Sequence, residues 1–113
     1  MKNTKNKVKL LFVCSQNRLR SPTAEILFDN ERFETDSAGL NEDANQLITV
    51  DLLLWSDIIF CMEKSHKKKL SKLLKHYNID RQLICLNIPD EFEFLESGLI
   101  ELLNKKVYDY FGE

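Results

Sequence analysis

The feature that most constrains the fold is an alternation of strand-like runs with segments whose apolar residues recur at helical spacing. Four runs read as strands: VKLLFVC (8–14), FETDSAG (33–39), SDIIFCM (56–62) and RQLICLNI (81–88). Near-continuous apolar runs such as 8–14 and 56–62 are typical of strands buried on both faces, whereas 33–39 reads as a short strand that leads into a turn closed by Gly39. Strands that alternate with helices predict a three-layer α/β fold, with a four-stranded parallel sheet between helices.

Four helices are predicted between and after these strands. Ser21 is a candidate N-cap for the first, with Pro22 at the first helical position. Thr49 could cap a short second helix that runs through Leu54. The third and fourth helices cover 64–77 and about 97–111, and leucines on one face of each recur at i, i+3 and i+4. The inward-facing residues are predicted to be Leu70, Leu73, Leu74 and Tyr77, then Leu99, Leu102, Leu103, Val107 and Tyr110.

Length and composition limit the classes of protein. The 113 residues suit a single domain, 1–113, with residues 1–6 expected to be a loose polar tail. A net charge of −2 does not suggest a nucleic-acid binder, and no apolar run approaches the roughly 18 residues of a membrane span. Three cysteines without a C-x-x-C pair argue against a disulfide framework or structural zinc. We therefore expect a cytoplasmic protein without nucleic-acid or membrane partners, and we leave its oligomeric state open.

The segment between the first strand and the first helix carries the chemistry. Cys14 ends the strand and Arg20 follows it in a C-x5-R spacing, with Ser21 next. Backbone amides wrapped between a strand and a helix N-terminus form an anion nest, and an arginine can bind two phosphate oxygens. The same field favours the thiolate of the cysteine. The intervening residues of this phosphate cradle are Ser15, Gln16, Asn17, Arg18 and Leu19.

A plainer interpretation is a small buried cysteine at the end of a strand, because C-x5-R occurs by chance. The position of the motif between a predicted strand and a predicted helix favours the cradle. A thiolate beside a bound dianion indicates attack on phosphorus.

Together these segments resemble the low-molecular-weight protein tyrosine phosphatases. VCSQNRLRSPTAE is similar to the family's phosphate loop, C-x-G-N-x-C-R-S-P. Downstream, DSAG (36–39), DLLLWSDIIFCMEKSHKKKL and IPDEF (88–92) are similar, in order, to its D-S-A segment, its third strand with the following helix, and its D-P-Y acid loop. The resemblance runs from Val8 to Phe92.

The resemblance implies roles for individual residues. Cys14 would be the nucleophile, Arg20 the phosphate clamp, and Ser21 a hydrogen-bond donor to the thiolate. Asn17 would hold the loop in a strained shape, with Ser37 as one partner.

The general acid would be Asp90, with the adjacent Glu91 as its rival. The implied substrate is a phosphorylated protein or a small aryl phosphate, and neither a metal nor another cofactor is implied.

The sequence departs from the family pattern at several positions. Gln16 replaces the loop glycine, Leu19 replaces a second loop cysteine, and Glu91-Phe92 replaces Pro-Tyr. The chain is also short between Gly39 and Asp51, where the family carries a helix and a wall of the substrate cleft. A broad or shallow site is therefore expected.

Two other functions stay open at this point. One is a phosphate-binding module without catalysis, which the departures permit. The other is a redox enzyme of the arsenate reductase type, which would need Cys61 or Cys85 near the loop.

Several further residues are interpreted plainly. His66 and His76 are expected to be solvated, and the lysines of the third helix are expected to form its solvent-exposed face. Arg18 is expected to point outward, and Phe92 and Phe94 either line the cleft or pack in the core.

Overall fold

Strands and helices alternate along the chain in the predicted order. The computed structural model describes residues 7–113, so the expected tail at 1–6 lies outside the described residues. The elements are β1 Val8–Cys14, α1 Arg20–Phe28, β2 Phe33–Gly39, α2 Val50–Trp55, β3 Ile58–Cys61, α3 Lys64–His76, β4 Gln82–Cys85 and α4 Ser97–Tyr110.

The four strands form one parallel sheet in the order β2-β1-β3-β4, which confirms the predicted fold class. The chain first adds β2 on one side of β1 and then β3 and β4 on the other side. The point where the order reverses lies between β1 and β3, and ligands of such sheets bind at the carboxyl ends of the strands there. Cys14 ends β1 at this edge, and the turns after β3 and β4 reach the same edge.

Side chains of β1 alternate between two cores. Leu10, Phe12 and Cys14 face a cluster that includes residues of α1 and α4, whereas Leu11 and Val13 face α2 and α3. The Phe12 ring stacks on Phe28 and Phe60, with centroid distances of 5.6 and 5.4 Å. Burial of each such ring contributes about 1.5–3 kcal/mol, so the face of β1 toward α1 and α4 is held firmly.

The helical faces agree with the prediction, with one exception. Leu70 and Leu74 of α3 are buried, as are Leu99, Leu103 and Val107 of α4. Tyr77 is exposed because α3 ends at His76, so its predicted inward position is wrong.

Three boundary predictions need correction. Ser21 is not the N-cap of α1: the helix begins at Arg20, and the buried Ser21 hydroxyl contacts Cys14 and Asn17 instead of the helix amides. Strands β3 and β4 are also shorter than the predicted 56–62 and 81–88, although the Leu86 and Ile88 amides still donate to the Cys61 and Met62 carbonyls. Thr49 caps α2 as expected, accepting from the Leu52 amide at 3.1 Å.

The described residues contain neither a membrane-spanning helix nor a metal-binding cluster. In residues 7–113 no helix combines the length and the hydropathy that a membrane crossing needs. The same residues contain no group of three or more histidine, cysteine, aspartate or glutamate side chains arranged to hold a metal ion.

Candidate active site

The loop from Cys14 to Arg20 is held from outside through its carbonyl groups. Three of these accept hydrogen bonds from backbone amides of the segment 40–45: the carbonyls of Cys14, Ser15 and Gln16, at 3.1, 2.9 and 3.1 Å. Within residues 7–113, no protein acceptor pairs with the loop amides of Ser15, Gln16, Arg18, Leu19 and Arg20. The loop therefore retains several N–H groups for an anion.

Gly39 allows this close packing. A Cβ atom at this position would lie 2.6 Å from the Ala44 Cβ and 2.7 Å from the Ser15 carbonyl oxygen. Any larger residue would push the end of β2 away from the loop. The short stretch between Gly39 and Asp51 thus serves as a backbone support for the loop.

Asn17 adopts the left-handed backbone conformation, with φ of 56°. Its side-chain amide donates to the hydroxyls of Ser21 and Ser37, each at 2.9 Å, and its backbone carbonyl accepts from the Asn45 side-chain amide at 3.1 Å. Asparagine tolerates this conformation better than most residues, and the hydrogen bonds offset its cost. Gln16, which replaces the family's glycine, has no positive φ and brings no such strain.

The Cys14 sulfur lies at the floor of the loop, and the residue as a whole is 3% exposed. It accepts from the Asn17 amide at 3.3 Å and lies 3.0 Å from the Ser21 hydroxyl oxygen. Because Asn17 donates to that oxygen, the Ser21 proton can point at the sulfur or at the Ala38 carbonyl, which lies 3.4 Å from the hydroxyl oxygen. The sulfur therefore lies within hydrogen-bond distance of one backbone amide and one hydroxyl.

Arg20 is the buried cation of the site, with 3% of its surface exposed. Its Nη1 donates to Glu63 Oε2 at 2.5 Å and to the Ile88 carbonyl at 2.8 Å, and its Nε lies 3.8 Å from Asp90 Oδ1. A buried guanidinium needs such partners. Glu63 was not singled out in the sequence, although its place directly after β3 could have indicated this edge.

Asp90 lies across the cleft from the sulfur, in the turn after β4, with its side chain 66% exposed. The cleft has a volume of about 400 Å³ and is lined by Cys14, Ser15, Gln16, Arg18, Leu19, Arg20, Asn41 and Asp90. The rival carboxylate, Glu91, is exposed and does not line it.

His66 contradicts the expectation of a solvated side chain, because it is 3% exposed. Its Nε2 lies 2.9 Å from the Ser15 hydroxyl oxygen, and its Nδ1 accepts from the Glu63 amide at 3.1 Å. Burial lowers the pKa of His66 below its ordinary value. The sequence held a signal for this placement, since His66 lies four residues before Leu70 and therefore on the apolar face of α3.

Charged and polar side chains form the rim of the cleft. Arg18 points outward as expected and donates to the Asp43 carbonyl at 2.9 Å and to Gln16 at 3.3 Å. Phe92 packs partly against the core, and Phe94 is exposed. Neither ring lines the cleft, so no aromatic side chain walls it within the described residues.

The other two cysteines lie side by side in β3 and β4, where Cys61 pairs in register with Cys85. Both pack with the α2–α3 cluster, on the opposite face of the sheet from Cys14. Burial, reinforced by Cys85, raises the pKa of the Cys61 thiol to about 12, so this thiol stays protonated.

Comparison with known proteins gives structural matches only. No family model matches the sequence, and no curated protein matches it. Among solved structures, a low-molecular-weight protein tyrosine phosphatase from T. tengcongensis is 19% identical with a TM-score of 0.74, over 94% of this chain and 99% of that one. The chain has the fold of the low-molecular-weight protein tyrosine phosphatases.

Two further structures show the range of proteins with this fold. The Streptococcus pyogenes low-molecular-weight protein tyrosine phosphatase is 18% identical with a TM-score of 0.73, over 93% of this chain and 91% of that one. The Drosophila arginine phosphatase is 19% identical with a TM-score of 0.72, over 94% of this chain and 99% of that one.

Proposed function

We propose that this protein is a cysteine-dependent phosphatase that hydrolyses phosphotyrosine or another aryl phosphate, in a phosphoprotein or a small molecule. The observation that carries the proposal is one cleft that holds a buried thiol, a buried arginine, unpaired loop amides and an exposed carboxylate. Binding phosphate alone would require neither the thiol of Cys14 nor the carboxylate of Asp90. This argues against a binding module without catalysis.

The reaction would take two steps. The Cys14 thiolate attacks phosphorus, the bond from phosphorus to the leaving oxygen breaks, and Asp90 gives that oxygen its proton. Water then attacks the cysteinyl phosphate and passes a proton to the Asp90 carboxylate. The S–P bond breaks, which restores the thiolate and releases inorganic phosphate.

Positive charge for both steps would come from the protein itself. The loop amides and the Arg20 guanidinium would bind the equatorial oxygens, where negative charge spreads in the transition state. The Glu63 carboxylate accepts from Arg20 Nη1 at 2.5 Å and would hold the guanidinium in its orientation. The Ser21 hydroxyl, 3.0 Å from the sulfur, would stabilise the departing thiolate in the second step.

A redox mechanism that uses the other cysteines fits the geometry poorly. Cys61 and Cys85 lie with the cluster on the other face of the sheet, so a disulfide relay from Cys14 would have to pass through the packed sheet.

The deciding experiment measures phenolate release from p-nitrophenyl phosphate by the parent and by Cys14→Ser. We expect turnover in the parent, background rate in the variant, and one phosphoryl group on Cys14 after acid quench. Cys85→Ser is the matched control, because it removes a thiol outside the cleft. Turnover in Cys14→Ser would exclude the mechanism. Phosphotyrosine and phosphoarginine peptides extend the test, since proteins with this fold include an arginine phosphatase.

Binding is tested separately with vanadate. We expect vanadate to shift the amide resonances of residues 15–20 in the parent but not in Arg20→Ala. Shifts without turnover would instead support the binding module.

A further inference from the structure

The hydrogen bonds of His66 determine which ring nitrogen carries the proton. Its Nδ1 accepts from the Glu63 backbone amide at 3.1 Å, so Nδ1 must be unprotonated. A neutral imidazole then carries its proton on Nε2. Nε2 lies 2.9 Å from the Ser15 oxygen, so the histidine is the donor in this pair.

This direction determines what the Ser15 hydroxyl can do. With its oxygen accepting from His66, the Ser15 proton is free to point elsewhere. Ser15 is half-buried and lines the cleft next to Cys14. In the described chain, its hydroxyl has no protein partner other than His66. The opposite tautomer would draw the Ser15 proton toward the ring and away from the cleft.

We propose that His66 is a positioning residue that holds the Ser15 hydroxyl as an additional hydrogen-bond donor to the phosphoryl group in the loop. The inference rests on the proposed function, because it assigns the bound group to the same cleft. The geometry that supports it is the Glu63–His66–Ser15 chain, which connects the start of α3 to the Cys14–Arg20 loop.

The same chain also connects to the phosphate clamp. The Glu63 carboxylate accepts from the His66 backbone amide, in a capping box at the start of α3, and from Arg20 at 2.5 Å. A neutral His66 therefore holds Ser15 through Nε2 and the Glu63 backbone through Nδ1, and the Glu63 carboxylate in turn contacts Arg20. Protonation of Nδ1 would place two donors face to face and break the bond from Glu63.

The charged groups around His66 act in both directions. Burial lowers its pKa, Arg20 and Lys69 act in the same direction, and Glu63 and Asp90 oppose them. The imidazole is therefore neutral at pH 7, as the proposal requires.

Two substitutions of His66 separate its two hydrogen bonds. His66→Gln can place a donor near the position of Nε2, whereas His66→Asn can keep only the acceptor for the Glu63 amide. We expect kcat/KM for p-nitrophenyl phosphate to fall about 3- to 10-fold in His66→Asn and in Ser15→Ala, as loss of one neutral donor implies. His66→Gln should recover most of this loss. His76→Asn, at an exposed position on the same helix, is the matched control and should match the parent.

The double variant tests whether His66 acts through Ser15. If it does, Ser15→Ala combined with His66→Asn should lose no more than Ser15→Ala alone. Additive losses, or a His66→Gln variant as impaired as His66→Asn, would overturn the proposal.

Two readouts keep the inference separate from the proposed function. Vanadate affinity should weaken equally in Ser15→Ala and His66→Asn, whether or not the parent shows turnover. Weaker vanadate binding in these variants, together with no turnover in the parent, would contradict only the proposed function. The ¹⁵N shifts of the His66 ring in the parent report the tautomer directly, without any variant that must fold. A proton found on Nδ1 would overturn the proposal, and a proton on Nε2 is the expected result.

Discussion

The loop after β1 and the turns after β3 and β4 meet at one sheet edge but contribute different chemistry. The loop presents its backbone, with a left-handed Asn17 and carbonyls bonded to the segment 40–45. The other segments contribute side chains: Glu63 from the turn after β3, His66 from the first turn of α3, and Asp90 from the turn after β4. The anion-binding surface therefore depends on the backbone shape of the loop. The orientation of Arg20 and the position of the proposed proton donor depend instead on side chains that follow the neighbouring strands.

The first prediction tests the turn after β4 and has the largest expected effect. Asp90→Asn should lower kcat/KM for a phosphotyrosine peptide by about 10²- to 10⁴-fold, because the leaving oxygen loses its proton donor. The loss should be smaller for p-nitrophenyl phosphate, whose phenolate leaves readily. Glu91→Gln is the control and should match the parent. A leaving-group-dependent loss in the Glu91 variant alone would reverse the assignment.

The second prediction tests the backbone shape of the loop. Asn17→Ala removes two side-chain hydrogen bonds and disfavours the left-handed conformation, whereas Asn17→Gly removes only the bonds. Chemical denaturation should show losses in the free energy of unfolding of about 2–3 kcal/mol for alanine and about 1–2 kcal/mol for glycine. Equal losses in the two variants would mean that the positive φ carries no cost.

The third prediction tests the turn after β3. Glu63→Gln keeps the shape of the side chain but removes the charge that faces Arg20. The free energy of unfolding should fall by about 1–2 kcal/mol, a value reduced because the Glu63 side chain is 40% exposed. Glu101→Gln, exposed on α4, is the control. An unchanged stability would show that the Ile88 carbonyl and Asp90 are sufficient partners for the buried Arg20 guanidinium without the Glu63 charge.

The fourth prediction has the smallest effect and concerns pH. Since the pKa of His66 is lowered in the folded state, the unfolded chain binds a proton that the folded chain does not bind. Stability should therefore fall as the pH drops below about 6.5, by at most about 1.4 kcal/mol per pH unit. The difference in unfolding free energy between the parent and His66→Gln, measured from pH 7.5 to about pH 5.5, isolates this contribution. The unfolding free energy of the parent minus that of the variant should become smaller as the pH falls, so a difference that grows toward low pH would contradict the sign.

Much of the fold was predictable because its signals are local. Apolar runs and helical spacing indicated the parallel sheet, and the C-x5-R-S spacing between β1 and α1 indicated the loop. The local sequence wrongly predicted Ser21 as the N-cap of α1, because serine is a preferred residue at that position. Its hydroxyl instead bonds to Asn17 and Cys14, partners that the folded loop brings to it.

The sequence by itself determined the kind of layers and the residues of the Cys14–Arg20 loop, because backbone propensity and side-chain periodicity act over a few positions. Only the tertiary structure decided which strand ends are neighbours. The order β2-β1-β3-β4 places the turn after β3 beside the loop and brings Glu63 to Arg20 and His66 to Ser15. Those contacts join residues more than forty positions apart. Their cause is burial: a cation and an imidazole removed from water must find partners in whatever element packs against them.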